Sequence, residues 1–318
     1  SKYRKNIIYK YSWKHYLYFF ICSTFIGTEA MVHSIELRIA NDRAMKKVRS
    51  GKNNYVFLQH GVMYMISLDS ESRTFFKPRS IKSEGKFKVV TSSRTEADHF
   101  INLGGYDPTQ VIVCGLPKFD RNVWYKNADK IIIMPTWRAW EYNEALTDFQ
   151  NCPYYKMMTR MFLAIPEQYR EKVIVLPHPL FRKAAENNDF FLKKNMRFDV
   201  KYDELLRDAK VLITDYSSIA YDAFYRGANV IFYWEELEAC LEQYGERTKL
   251  MLNEKNCFGD ICYNAKELNR VFTENYENAQ NEQYISNYKK IVTFDDGENT
   301  ERLLKALRED EIIPAMPK

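Results

Sequence analysis

The stretch "VLITDYSSIAYDAFYRGANVIFY", residues 211–233, decides the fold class. An apolar run stops at Asp215, Tyr216, Ser217 and Ser218, a helix-like segment follows, and Gly227 precedes a second apolar run. Both runs are nearly continuous rather than alternating, the pattern of strands buried on both faces of a parallel sheet. The same kind of run recurs at 55–58 (YVFL), 87–91 (FKVVT), 111–114 (VIVC), 130–134 (KIIIM) and 173–176 (VIVL).

Helix-like stretches at 28–49, 93–103, 154–170, 202–208, 218–226 and 299–309 separate most of these runs. In "SSRTEADHFINLGGY" Ser92 or Ser93 can cap a helix, Glu96 follows the cap, and Gly104–Gly105 ends it. The expected architecture is two α/β sheets in tandem with a domain boundary near residue 125, and such pairs usually form their ligand site in the cleft between them. Loops at the carboxyl ends of parallel strands line the ligand sites of such sheets.

The totals are those of a globular chain. Of 318 residues, 46% are hydrophobic, which excludes a disordered polymer. A net charge of +5, spread along the chain without a recognition motif, argues against nucleic acid as a partner. Six cysteines show no metal-binding spacing and read as buried thiols of a reducing compartment.

Residues 1–15, "SKYRKNIIYKYSWKH", combine lysine and arginine with tyrosine and tryptophan and contain no acid. That is the composition of a segment lying on an anionic membrane surface, although a solvated or packed basic helix has the same composition. The apolar run 16–27 is too short to span a bilayer. The expected location is therefore the cytoplasmic face of the membrane, held peripherally. The initial Ser and the short region before residue 50 are what a piece of a longer protein would show.

Four strand ends carry chemistry. "YVFLQHG" places His60 and Gly61 directly after a strand, and "IIIMPTWR" places Thr136 and Arg138 there. "VIVLPHP" holds His178 between two prolines, which restrict its backbone. Asp215, Ser217 and Ser218 follow the strand of the opening stretch. Helix starts expose N–H donors and attract anions, and serine hydroxyls add donors, but a plain helix cap would use the same serines. His15, His33 and His99 have no such placement and read as surface or packing residues. Together the strand-end groups point to a phosphate or diphosphate site with a histidine base, without a metal or cofactor. There is no Walker loop and no dinucleotide fingerprint.

Six segments, "VFLQHG", "VIVCGLPKFDR", "IIIMPTWR", "VLPHP", "VLITDYSSIAYDAFYRGANVIFY" and "FDDGENTER", resemble in order those of the CDP-glycerol glycerophosphotransferases. The resemblance covers roughly residues 50–310 and implies an α/β, GT-B-like fold, two Rossmann-type domains over 1–125 and 126–318 facing across a cleft, whose last helix crosses back to the first domain. It implies transfer of glycerol phosphate or ribitol phosphate from a CDP-alditol to a hydroxyl of a teichoic-acid or capsule-polymer acceptor, with release of CMP. The acceptor would be lipid-linked or an oligosaccharide. His60 matches the family's base and His178 its donor-side histidine, while Thr136, Arg138, Asp215, Ser217 and Ser218 match its donor and phosphate contacts. Family members often continue the histidine–glycine pair as "HGTPLK"; here "HGVMYMISLDS" lacks that lysine. A GT-B glycosyltransferase using a nucleotide sugar, and a non-catalytic module that binds polymer or membrane, remain the alternatives.

Overall fold

The computed structural model describes residues 6–31, 42–70, 78–121, 127–185 and 189–315. The chain divides into two units: residues 1–62, 73–120 and 293–318 form the first, and 63–72 with 121–292 form the second. The boundary expected near 125 falls in 122–126, outside the described residues. The division lies between Asp120 and Arg121, and two segments belong to the unit on the other side of it.

The first unit is built on a parallel sheet of β1 (Thr24–Gly27), β2 (Asn54–Phe57), β3 (Phe87–Thr91) and β4 (Val111–Val113), in that spatial order. Val56, Val89, Val90 and Phe100 are buried in its core. β1 was concealed in the apolar run 16–27, which splits into a helix, Trp13–Ile21, and the strand. The helix ends where Cys22 turns extended, and Lys47 Nζ donates to the carbonyls of Phe20 (2.7 Å) and Cys22 (2.6 Å) at that end. Within the expected helix 28–49, the described residues are helical over Asp42–Arg49, and 32–41 lie outside them.

Ser93 is the cap of the helix Arg94–Asn102: its hydroxyl accepts from the Glu96 N–H, while Glu96 accepts from the N–H and hydroxyl of Ser92. The last helix, Asn299–Glu309, also belongs to this unit. Its first turn is held by Asp120, whose carboxylate accepts from the N–H groups of Asn299 (2.8 Å) and Thr300 (2.7 Å). An anion at a helix start is favourable. Gly115, at φ +81°, packs where any Cβ would strike Asn299, so "CGLPKFD" and "GENTER" are complementary surfaces.

The second unit holds β5 (Lys130–Ile133), β6 (Val173–Val175), β7 (Ala209–Thr214), β8 (Asn229–Tyr233) and β9 (Asp260–Cys262), all parallel in the order β6-β5-β7-β8-β9. The chain goes from β5 to one side and then returns to the other, so the gap between the ends of β5 and β7 is the topological switch point. Ile131, Ile133, Val211, Ile213 and Ile231 are fully buried. β9 escaped the sequence reading because it is three residues long and begins on Asp260. Two parallel sheets threaded by helices form the α/β, GT-B-like class expected.

Residues 63–70, directly after the histidine–glycine pair, are strapped to this unit. The Ser67 N–H donates to the Lys249 carbonyl, and the Met251 N–H to the Met65 carbonyl, each at 2.9 Å. Tyr221 donates its hydroxyl to the Tyr64 carbonyl at 2.8 Å, and the hydroxyls of Ser70 and Thr248 lie 2.5 Å apart.

Candidate active site

The switch point of the second unit is occupied by Asp215 and Thr136. Oδ1 of Asp215 accepts the Thr136 N–H (2.7 Å), the Thr136 hydroxyl (2.6 Å) and the Tyr216 N–H (2.6 Å). The Trp234 indole donates to the Asp215 carbonyl at 3.1 Å, and the Thr214 hydroxyl to the Met134 carbonyl at 2.6 Å. The ends of β5, β7 and β8 are thereby tied together by side chains where the backbone ladder stops. Such ties answer the need of buried polar groups for partners.

Arg138 was expected to hold phosphate, but its side chain turns inward. It is 1% exposed. Its guanidinium meets Glu236, Glu141 (3.4 Å) and Asp215 (3.6 Å), and Nη2 lies 3.0 Å from the Met157 sulfur. Burial works against the charge, but the carboxylates outweigh it and hold the guanidinium above its ordinary pKa. Burial in turn raises the pKa of Glu141, which also accepts the Tyr154 N–H at 2.6 Å. Arg138 thus neutralises a buried acidic cluster and fixes the loop after β5.

His178 follows β6 and is half-buried, its ring centroid 4.5 Å from that of Trp137. Burial lowers its pKa below the ordinary histidine value. Its N–H donates to the Tyr154 hydroxyl (3.2 Å), and that hydroxyl donates to the Pro135 carbonyl (3.2 Å). Tyr154, stacked on Phe181 at 4.4 Å, is a brace between the ends of β5 and β6. Nothing in the local sequence "CPYYKMM" marks it, because the brace exists only once two strand ends and a helix meet. Glu141, Trp234 and Glu236 were missed for the same reason.

The serines end the strand–turn–helix. Ser217 Oγ accepts from the Ile219 N–H (N···O 3.4 Å) at the start of the helix Ile219–Tyr225, and Ser218 occupies its cap position without a side-chain cap bond of its own. A plain cap would make that bond. The structure therefore brings Thr136, Asp215 and Arg138 into direct contact, with Ser217 and Ser218 continuing the chain from Asp215. His178 joins them through Tyr154 and Pro135.

His60 lies in the first unit, at the carboxyl end of β2, and is exposed. Its carbonyl accepts from Lys118 Nζ at 2.9 Å. The preceding Gln59 is buried at φ +63° and donates its amide to the Val90 carbonyl at 2.6 Å.

Residues 4–309 match the family described as CDP-glycerol:poly(glycerophosphate) glycerophosphotransferase. A curated relative, the minor teichoic acid biosynthesis protein GgaB of Bacillus subtilis (strain 168), is 24% identical over 278 residues. That alignment takes in 80% of this chain but 29% of GgaB, so the chain spans under a third of that relative. The structure of the wall teichoic acid polymerase TagF is similar at a TM-score of 0.60 and 16% identity, over 95% of this chain and 76% of that one. A histidine-to-asparagine variant of TagF soaked with CDPG is similar at a TM-score of 0.57 and 14% identity, with the same coverage of both chains. These likenesses show a shared fold, and the family match over nearly the whole chain shows that the protein belongs to the CDP-glycerol:poly(glycerophosphate) glycerophosphotransferases.

Proposed function

We propose that this protein transfers glycerol phosphate from CDP-glycerol to a terminal hydroxyl of a teichoic-acid-type polymer and releases CMP. The single observation that carries the reading is the braced switch point, where Asp215, Thr136 and the serines stand at the crevice that binds ligands in doubly wound sheets. The family match supports CDP-glycerol as the donor class. In the proposed reaction the acceptor oxygen attacks the phosphorus bearing the glycerol, the bond to the CMP oxygen breaks, and CMP leaves with the electron pair. His60 takes the hydroxyl proton as general base. Ser217, Ser218 and His178 hold the donor phosphates, and the stabilisation grows as charge moves onto the leaving group. Thr136, Asp215 and Arg138 act as the rigid frame behind them. Ribitol is the alternative alditol.

Incubation with CDP-glycerol, CDP-ribitol, and UDP- or GDP-sugars separately, followed by identification of the released nucleotide, tests this reading. CMP from a CDP-alditol supports it; a nucleoside diphosphate from a sugar donor points to the glycosyltransferase alternative. Polymer binding without turnover of any donor points to the non-catalytic module. His60→Ala is expected to lower turnover about 10²–10⁴-fold while donor binding persists. Wild-type turnover in that variant would remove His60 from the chemistry.

The membrane partner is also a proposal. The helix Trp13–Ile21 exposes Trp13 (70%) and Ile21 (64%), and Lys10 and Lys14 lie over the rings of Tyr11 and Trp13. Among the described residues no helix is long and apolar enough to cross a membrane. Interfacial aromatics beside lysines suit attachment to a surface of anionic lipid, where the polymer acceptor would be anchored.

A further inference from the structure

Gln59 combines three features that seldom coincide. Its φ of +63° lies in the left-handed region, which a long side chain adopts against a steric penalty. Its side chain is almost wholly enclosed, at 1% exposure for the residue. Its amide donates to the carbonyl of Val90 at 2.6 Å, one position past the last paired rung of β2 and β3, Phe57 with Val89. On the other side of the strand the Leu58 N–H donates to the Gly27 carbonyl of β1 at 2.8 Å. The chain then turns, and Lys118 holds the His60 carbonyl at 2.9 Å. The segment Leu58–His60 is thus tied to three sequence-distant segments, and His60 at its end is exposed. Strain of this kind persists where the surroundings over-determine it, and it collects at functional sites.

We propose that Gln59 and Lys118 are positioning residues for His60: the buried amide locks a left-handed corner that aims the imidazole, and the lysine fixes the carbonyl on its far side. The inference rests on the assignment of His60 as the base. A base is effective only within a narrow range of position, so loosening this corner lowers turnover without touching donor contacts on the second unit.

The test uses Gln59→Gly in the full chain. Glycine accepts the left-handed φ without penalty but lacks the amide, so strain and anchoring are separated. The expected result is a fall in kcat of about 10–100-fold with an unchanged KM for CDP-glycerol in a variant that still melts cooperatively, its melting temperature lowered because the Val90 carbonyl loses its buried donor. Lys118→Met should lower kcat in the same way and Lys118→Arg should restore it. In Gln59→Gly/His60→Ala the loss should equal that of His60→Ala alone, because the amide acts through the imidazole. Additive losses, a change confined to KM or to melting temperature, or turnover within twofold of wild type in Gln59→Gly would overturn the proposal. In that case a deficient His60→Ala would leave the base assignment standing. Wild-type turnover by His60→Ala would overturn the assignment and the proposal together.

Discussion

Asp215 and Thr136 are separated by 79 positions in the chain, yet one oxygen of the carboxylate accepts both the N–H and the hydroxyl of the threonine, at 2.7 and 2.6 Å. The pair ties the segments just past the ends of β5 and β7, beyond the last rungs of their ladder, where the sheet reverses its winding. Thr136→Val keeps the shape and removes one hydrogen bond to a buried carboxylate. The expected loss is about 1.5–3 kcal/mol, or several degrees in the melting of the second unit. An unchanged melting temperature would show that the hydroxyl contributes nothing.

Arg138→Met leaves Glu141, Asp215 and Glu236 without their shared cation. Breaking a buried ion cluster from one side costs about 3–5 kcal/mol. Burial already raises the pKa of Glu141, so the folded variant binds protons there more readily than the unfolded chain. Its stability therefore falls as pH rises and recovers as pH falls towards the carboxylate range. Arg138→Lys should not restore the wild-type value, because an ammonium cannot reach several carboxylates in one plane. Melting curves at pH 5 and pH 8 check both points, and a deficit that is the same at both would contradict them.

The depressed pKa of His178 gives a second pH effect. The unfolded chain protonates this residue at an ordinary value, about 6.5, while the folded chain resists to lower pH. Stability is thus lost as pH falls from the ordinary value through the depressed one, and His178→Gln should flatten that slope. A diphosphate diester beside the ring favours the protonated form, so CDP-glycerol binding should take up protons and tighten as pH falls from about 8 to 6. Calorimetry in buffers of different ionisation heat measures the uptake. Equal uptake by wild type and His178→Gln would dissociate this histidine from the donor.

Tyr154→Phe removes the brace between Pro135 and His178 and keeps the stacked ring. About 1–3 kcal/mol of stability should be lost as buried backbone groups lose their partner. A fewfold to tenfold weaker binding of CDP-glycerol should accompany it. Retention of wild-type affinity would confine Tyr154 to a packing role.

Attachment to vesicles containing anionic lipid should weaken with added salt, since charge attraction is screened over about 8–10 Å. Trp13→Ala with Ile21→Ser should reduce it further at any salt concentration. Binding indifferent to both salt and these substitutions would exclude this surface as the point of contact.

Much of the fold was legible in the sequence because buried parallel strands are continuous apolar runs, and every such run proved to be a strand. β1 was hidden because its run continued from a helix, and β9 because three residues carry too little pattern. The strand-end residues were legible for the same reason, since a residue next to a run must lie at a sheet edge. Arg138 was misread. Its position after β5 could be inferred, but the direction of its side chain depends on Asp215 and Glu236, which come from other elements, as well as on its near neighbour Glu141.

Local pattern by itself determined the α/β class, the positions of seven strands and the placing of His60, Thr136, His178 and Asp215 at strand ends. Each of these follows from the periodicity and punctuation of neighbouring residues. Tertiary structure alone decided that the N–H and hydroxyl of Thr136 meet on one oxygen of Asp215, that Asp215 and Glu236 reach Arg138, and that Gln59 is locked to Val90. It also decided that residues 63–70 and 293–318 join units from which the sequence separates them. The reason is physical: these relations depend on strand order and on which ladders stop where, and no local window of the chain contains that information.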